Sequence, residues 1–144
     1  MKACLKKNRV DGAPCGAIRE SIRVPASFRM LSEVRRFISA VAADCGFGDD
    51  AFDIAIATDE AVANAILHGS RTGRRGYVDI KVVCRNAFVV TVTSKGSFKN
   101  SASKSELSSE SGRGLWLMSA LMDRVTISVG GGFTRVVMTK FKRR

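Results

Sequence analysis

Between Ile18 and Val24 the chain alternates apolar and polar positions, Ile18-Arg19-Glu20-Ser21-Ile22-Arg23-Val24. This is the period-two pattern of a half-buried strand, and Pro25 closes it. The period then changes. Met30, Leu31, Val34, Phe37, Ile38 and Val41 recur at helical spacing behind Ser27, a residue suited to cap a helix start, and Gly46 marks the end. Asp49 or Asp50 can cap a second helix that carries Phe52, Ile56, Glu60 and Asn64 and stops near Gly69. After a polar loop at 71–76, two strands are predicted, Tyr77 to Arg85 and Ala87 to Thr93, joined tightly around Asn86. Ser94 to Ser111 is rich in Ser, Lys and Glu, with too little apolar content to pack. A short helix from Leu115 to Met122 follows, then two strands, Arg124 to Val129 and Phe133 to Phe141, turning on Gly130-Gly131-Gly132. The order β-α-α-β-β-loop-α-β-β predicts an α+β fold, a two-layer sandwich of one mixed sheet with helices on one face.

Within the second helix, Asp59-Glu60-Ala61-Val62-Ala63-Asn64-Ala65-Ile66-Leu67-His68-Gly69 sets a carboxylate and an amide four residues apart in an apolar stretch. On a helix of about 3.6 residues per turn, Glu60 and Asn64 project the same way. An amide oxygen is a hard ligand suited to Mg²⁺, and a carboxylate is a base, a combination that suits metal–phosphate chemistry. Taken alone, such a pair is common and reads as a solvated Glu60 with Asn64 a polar neighbour. Ser111-Gly112-Arg113-Gly114-Leu115-Trp116-Leu117-Met118 brackets a cation with two glycines directly before a helix. Free N–H groups at a helix N-terminus bind anions, and glycine lets a phosphate come close. Taken alone, this too reads as a tight turn.

Composition narrows the setting. A chain of 144 residues makes one domain that buries roughly 68% of its unfolded surface. No apolar run approaches the ~20 residues needed to span a membrane, and the N-terminus lacks the apolar core of a secretory signal. The four cysteines (Cys4, Cys15, Cys45, Cys84) form no C-x-x-C; they read as reduced, partly buried thiols in a cytoplasmic protein. Residues 1–17 read as a flexible basic arm, leaving 18–144 as the folded domain. Lys plus Arg number 24 against 13 Asp plus Glu, a formal charge of +11. Clusters at both termini, including Lys140, Lys142, Arg143 and Arg144, read as solvated charge able to steer an acidic partner. No nucleic-acid signature accompanies them, so nucleic acid ranks last among partners. His68 reads as a partner for the helix end, Trp116 and Met118 as core, and Asp59 as a residue that needs a partner.

Taken in order, the two motifs resemble the GHKL (Bergerat-fold) ATPases, and among these the anti-sigma-factor serine/threonine protein kinases. Residues 59–69 look like that family's N box and residues 111–123 like its second glycine box; the similarity runs over roughly 18–141. The resemblance implies a histidine-kinase-like ATPase domain using ATP and Mg²⁺, with Glu60 as general base and Asn64 holding the metal. It also implies that Gly112, Arg113 and Gly114 line the triphosphate and that Ser94–Ser111 is the ATP lid. Its partners would be a sigma factor and a small antagonist that is phosphorylated on Ser or Thr, and the protein would be a cytoplasmic homodimer. Two departures stand out. Where the family's first glycine box opens with an adenine-reading Asp, this chain has Ser94-Lys95-Gly96, keeping Gly96 only; at the last box, Phe133-Thr134 keeps only Thr134. A hydroxyl recovers part of what a carboxylate gives the adenine amino group, so weaker binding or relaxed base selectivity is expected. The alternative is a catalytically degenerate protein-binding module.

Overall fold

The computed structural model describes residues 4–8, 17–69, 76–95 and 112–143. Among these the elements are β1 (Cys4–Asn8), β2 (Ile18–Pro25), α1 (Leu31–Asp44), α2 (Ala51–Gly69), β3 (Tyr77–Cys84), β4 (Ala87–Lys95), α3 (Gly112–Leu121), β5 (Arg124–Gly130) and β6 (Phe133–Phe141). They build one sheet in the order β1-β2-β3-β4-β6-β5. Every pairing in it is antiparallel, where a mixed sheet was expected. Among the described residues, two helices lie between β2 and β3, and β3 runs against β2; one lies between β4 and β5, β5 runs parallel to β4, and β6 folds back between them and opposes both.

The predicted period-two alternation places Val78, Ile80, Val82 and Cys84 of β3 and Phe88, Val90, Val92 and Ser94 of β4 on one buried face. The helices form a layer on this face: α2 lies against β3, β4 and β6, with α1 and α3 beside it. Val34, Phe37, Ile38 and Val41 of α1, and Ile54, Ala57, Ala61, Val62 and Ile66 of α2, supply the helical half of the core. Phe47, in the α1–α2 connection, packs its ring 5.7 Å from that of Phe88. Such an aromatic pair adds about 0.5–1.5 kcal/mol beyond area burial and fixes the helix layer to the middle of the sheet. The Ser27 hydroxyl accepts from the Arg29 N–H and caps a 3-10 turn, Phe28–Met30, that leads into α1. At the β5–β6 turn, Gly131 and Gly132 have φ of 62° and 80°, the left-handed pair that a two-residue hairpin turn requires.

Several expectations are corrected. Cys4–Asn8, placed in a flexible arm, pairs with β2 from Cys4↔Arg23 to Asn8↔Arg19; this pairing is made by backbone, so side-chain polarity gave no sign of it. Apart from Ala17, the rest of that arm lies outside the described residues. β4 runs on to Lys95, so Ser94 belongs to the sheet rather than to a lid, and the expected lid beyond Lys95 lies outside the described residues. Phe52 was set on the buried stripe of α2 but is 75% exposed; the stripe follows Ile54, Ala57, Ala61 and Val62, about 200° away from Phe52 at 100° per residue. Trp116 is 71% exposed for the same reason, because α3 buries Gly114 and Met118 instead. Met118 is core, as expected. Cys45 and Cys84 are free thiols, and burial pushes both above the usual cysteine range. They stay protonated and weakly nucleophilic at neutral pH. Cys15 and the Cys4 side chain lie outside the described residues.

Candidate functional site

The buried stripe of α2 decides where its polar pair sits. Ala57 and Ala61 point into the core, and Glu60 and Asn64 flank them at the margin, half-buried and one turn apart. α3 packs against this margin with Gly114, which is buried. A Cβ placed on Gly114 would stand 3.1 Å from Glu60 Oε2, 3.2 Å from Asn64 Nδ2 and 3.8 Å from Asn64 Oδ1. The two sequence motifs, about fifty positions apart, therefore touch. Glycine fits at 114 without adjustment, whereas a Cβ there would make the carboxylate and the amide give by a few tenths of an ångström. Gly112 opens α3, so the free N–H groups of that helix start are presented beside Glu60 and Asn64. Their partial positive charge favours an anion there. Gly96 and the side chains of Arg113 and His68 lie outside the described residues.

A second pair forms on the sheet. Ser94 of β4 and Thr134 of β6 are direct cross-strand partners, in a row that runs Val78, Ser94, Thr134, Val129. Val78 is core, so the row faces the helix layer. Ser94 is 8% exposed. The Thr134 hydroxyl oxygen is buried, and among the described residues nothing hydrogen-bonds it. Sequence spacing alone did not pair these two residues; the β4–β6 register does.

Three supporting contacts escaped sequence reasoning. Asp59, beside Glu60 on α2, lacked a partner in sequence; the structure supplies Arg35 of α1, with Nη1 2.7 Å from Asp59 Oδ2. The other Asp59 oxygen, Oδ1, is buried without a partner among the described residues. Arg35 is half exposed, so the pair contributes about 0–1 kcal/mol and acts mainly to fix how α1 and α2 face each other. Lys140, grouped above with the solvated C-terminal charge, is 3% exposed. Its ammonium donates to the Leu121 carbonyl at 2.6 Å, satisfying the C-terminal end of α3, where a cation is favoured by the helix dipole. Asp123 completes this clamp: its Oδ2 accepts from the Phe141 N–H at 2.7 Å, and its own N–H donates to the Thr139 carbonyl at 2.9 Å. The signal for Lys140 was available in the inward alternation of Val136, Met138 and Lys140 along β6.

Among the described residues no helix is long and apolar enough to cross a membrane. Residues 24–140 match the family model of the histidine kinase-like ATPase domain. The serine-protein kinase RsbW of Bacillus velezensis is 33% identical over 134 residues, 83% of this chain and 83% of that protein. RsbW of Staphylococcus aureus is 32% identical over 138 residues, 85% of this chain and 86% of the relative. A crystal structure of the RsbU and RsbW domains of a Mycobacterium tuberculosis protein superposes with a TM-score of 0.63 at 22% identity, a likeness of fold alone. It covers 86% of this chain, which spans about a third (33%) of the length of that one.

Proposed function

Since the chain belongs to the histidine kinase-like ATPase domain family, we propose that it is an anti-sigma-type serine/threonine protein kinase that binds Mg-ATP. In this reading it phosphorylates a Ser or Thr of a small antagonist protein and holds a sigma factor out of use. The observation that carries it is the contact of Glu60 and Asn64 with the Gly114 position at the start of α3. That contact puts a carboxylate, an amide and the free N–H groups of a helix start within one small volume, which supports the reading. The names of the RsbW relatives support the kinase activity.

The chemistry follows from the side chains. The antagonist hydroxyl is set by Glu60, whose carboxylate takes its proton as the oxygen forms a bond to the γ-phosphorus. The bond from that phosphorus to the β,γ-bridging oxygen breaks, and ADP leaves with the electron pair. The free N–H groups at the start of α3 hold the phosphate oxygens by charge-assisted bonds, and the Arg113 charge adds to their attraction. Asn64 would hold Mg²⁺ through its amide oxygen, and the metal when bound supplies neutralisation of the phosphate charge. Gly112 and Gly114 let the triphosphate approach the backbone. Ser94, Gly96 and Thr134 take the base end, with the segment after β4 serving as lid over a single domain at 18–144. The protein works as a cytoplasmic homodimer.

Incubation with γ-labelled ATP, Mg²⁺ and the antagonist should label the antagonist. A preparation that binds ATP yet transfers no phosphate would sink the kinase reading. The degenerate-module alternative is disfavoured by the same contact, since a glycine kept clear for two side chains is not what decay leaves.

A further inference from the structure

The row Val78, Ser94, Thr134, Val129 carries two hydroxyls and no carboxylate. Ser94 is buried, and the buried Thr134 Oγ1 opposite it has no hydrogen-bond partner among the described residues. A buried polar atom left single in this way is uncommon and points to a guest that bonds it. We propose that the base end of the site reads a purine through these two hydroxyls alone. It thereby accepts a 6-oxopurine nucleoside triphosphate about as readily as the 6-amino one. The inference rests on the reading of this site as a Mg-nucleoside triphosphate site and names what that site fails to discriminate.

The argument is one of donors and acceptors. An ionised carboxylate only accepts, so facing position 6 of a purine it is satisfied by an amino group and repelled by a carbonyl. A hydroxyl both donates and accepts, and it rotates to suit what it meets. Two facing hydroxyls can give one hydrogen and take another from either edge: the amino group and N1 of adenine, or the carbonyl and N1–H of hypoxanthine. Strong discrimination requires that the wrong ligand leave a buried polar group unpaired. Ser94 and Thr134 are left unpaired by neither base.

Calorimetric titration of the full chain with ATP and with inosine triphosphate, each with Mg²⁺, tests this directly, because the two differ at position 6. The two dissociation constants should lie within about tenfold of each other, a gap under about 1.4 kcal/mol. A preference for ATP beyond about tenfold overturns the inference and leaves the kinase reading standing. Ser94→Asp should move the ratio toward ATP by about tenfold or more, the worth of one charge-assisted bond against a repelled carbonyl. An unchanged ratio in a variant folded by circular dichroism overturns it. Should Ser94→Asp fail to fold, Thr134→Val decides. It should weaken both ligands by a similar factor of about three- to tenfold, and a loss confined to one ligand overturns the proposal. Binding of neither nucleotide by the unaltered protein at millimolar concentration would remove the nucleotide reading itself, and this inference with it.

Discussion

The two ends of the proposed nucleotide site are built by different means. At the phosphate end, Glu60 and Asn64 are pressed against Gly114 by the packing of α2 on α3, with atoms a little over 3 Å from where a Cβ would be. At the proposed base end, Ser94 and Thr134 are brought opposite each other by strand register, and one buried hydroxyl is left without a partner among the described residues. In the first arrangement an added Cβ would force a shift of a few tenths of an ångström; in the second a buried hydroxyl has room in its bonding for one more partner. Charge divides the same way: a carboxylate and a helix start on one side, two neutral hydroxyls on the other. On the proposed reading, the difference makes chemistry and base recognition separable, so that each can be damaged without the other.

The largest expected effect tests that separation. Glu60→Gln keeps the shape at Gly114 but removes the proposed base, and phosphoryl transfer should fall by about 10²–10⁴-fold. Its ratio of ATP to inosine triphosphate affinity should stay that of the unaltered protein; a changed ratio would merge the two ends that the comparison keeps apart. Next comes Gly114→Ala. Its methyl would meet Glu60 and Asn64 at 3.1 and 3.2 Å, and a displacement of a few tenths of an ångström in either should lower transfer by about 10–100-fold. Alanine is the better helix former, so its melting temperature should not fall with its activity; a parallel collapse would make Gly114 merely structural. Lys140→Met tests what holds α3 in that position. Losing the bond to the Leu121 carbonyl should cost about 1–3 kcal/mol in urea unfolding. A midpoint equal to that of the unaltered protein would show that the clamp contributes nothing. Arg35→Ala should be mildest, about 0–1 kcal/mol, because the guanidinium is half exposed. A larger loss would mean that the buried Asp59 oxygen makes its charge far more dependent on Arg35 than surface pairs are.

Much of this was legible in the chain, for identifiable reasons. The period-two runs of β2, β3 and β4 and the 3.6-period stripe of α1 are written residue by residue, because each element buries one face against a single layer. The Gly131-Gly132 turn was legible because only glycine takes two left-handed positions in a row without strain. Glu60 and Asn64 were visible as polar residues in an apolar helix. What failed, failed where local pattern is silent. α2 is apolar around much of its circumference, so its own sequence did not fix which stripe is buried, and Phe52 was misplaced. The short α3 gave Trp116 no periodic context. β1 is held by backbone pairing, to which side-chain polarity is a poor guide. Lys140 looked like one more charge in a basic tail until the inward phase of β6 set it under the end of α3.

The sequence by itself determined the elements other than β1, their order, the glycine turns and the two motifs, because those depend on contacts between near neighbours along the chain. Tertiary structure decided the antiparallel course of every strand and which stripe of each helix is buried. It also decided that Gly114 is empty for the sake of Glu60 and Asn64, that Asp59 meets Arg35, and that Ser94 faces Thr134. Each of these depends on the distance between residues dozens of positions apart. Only the closing of the helix layer on the sheet sets that distance.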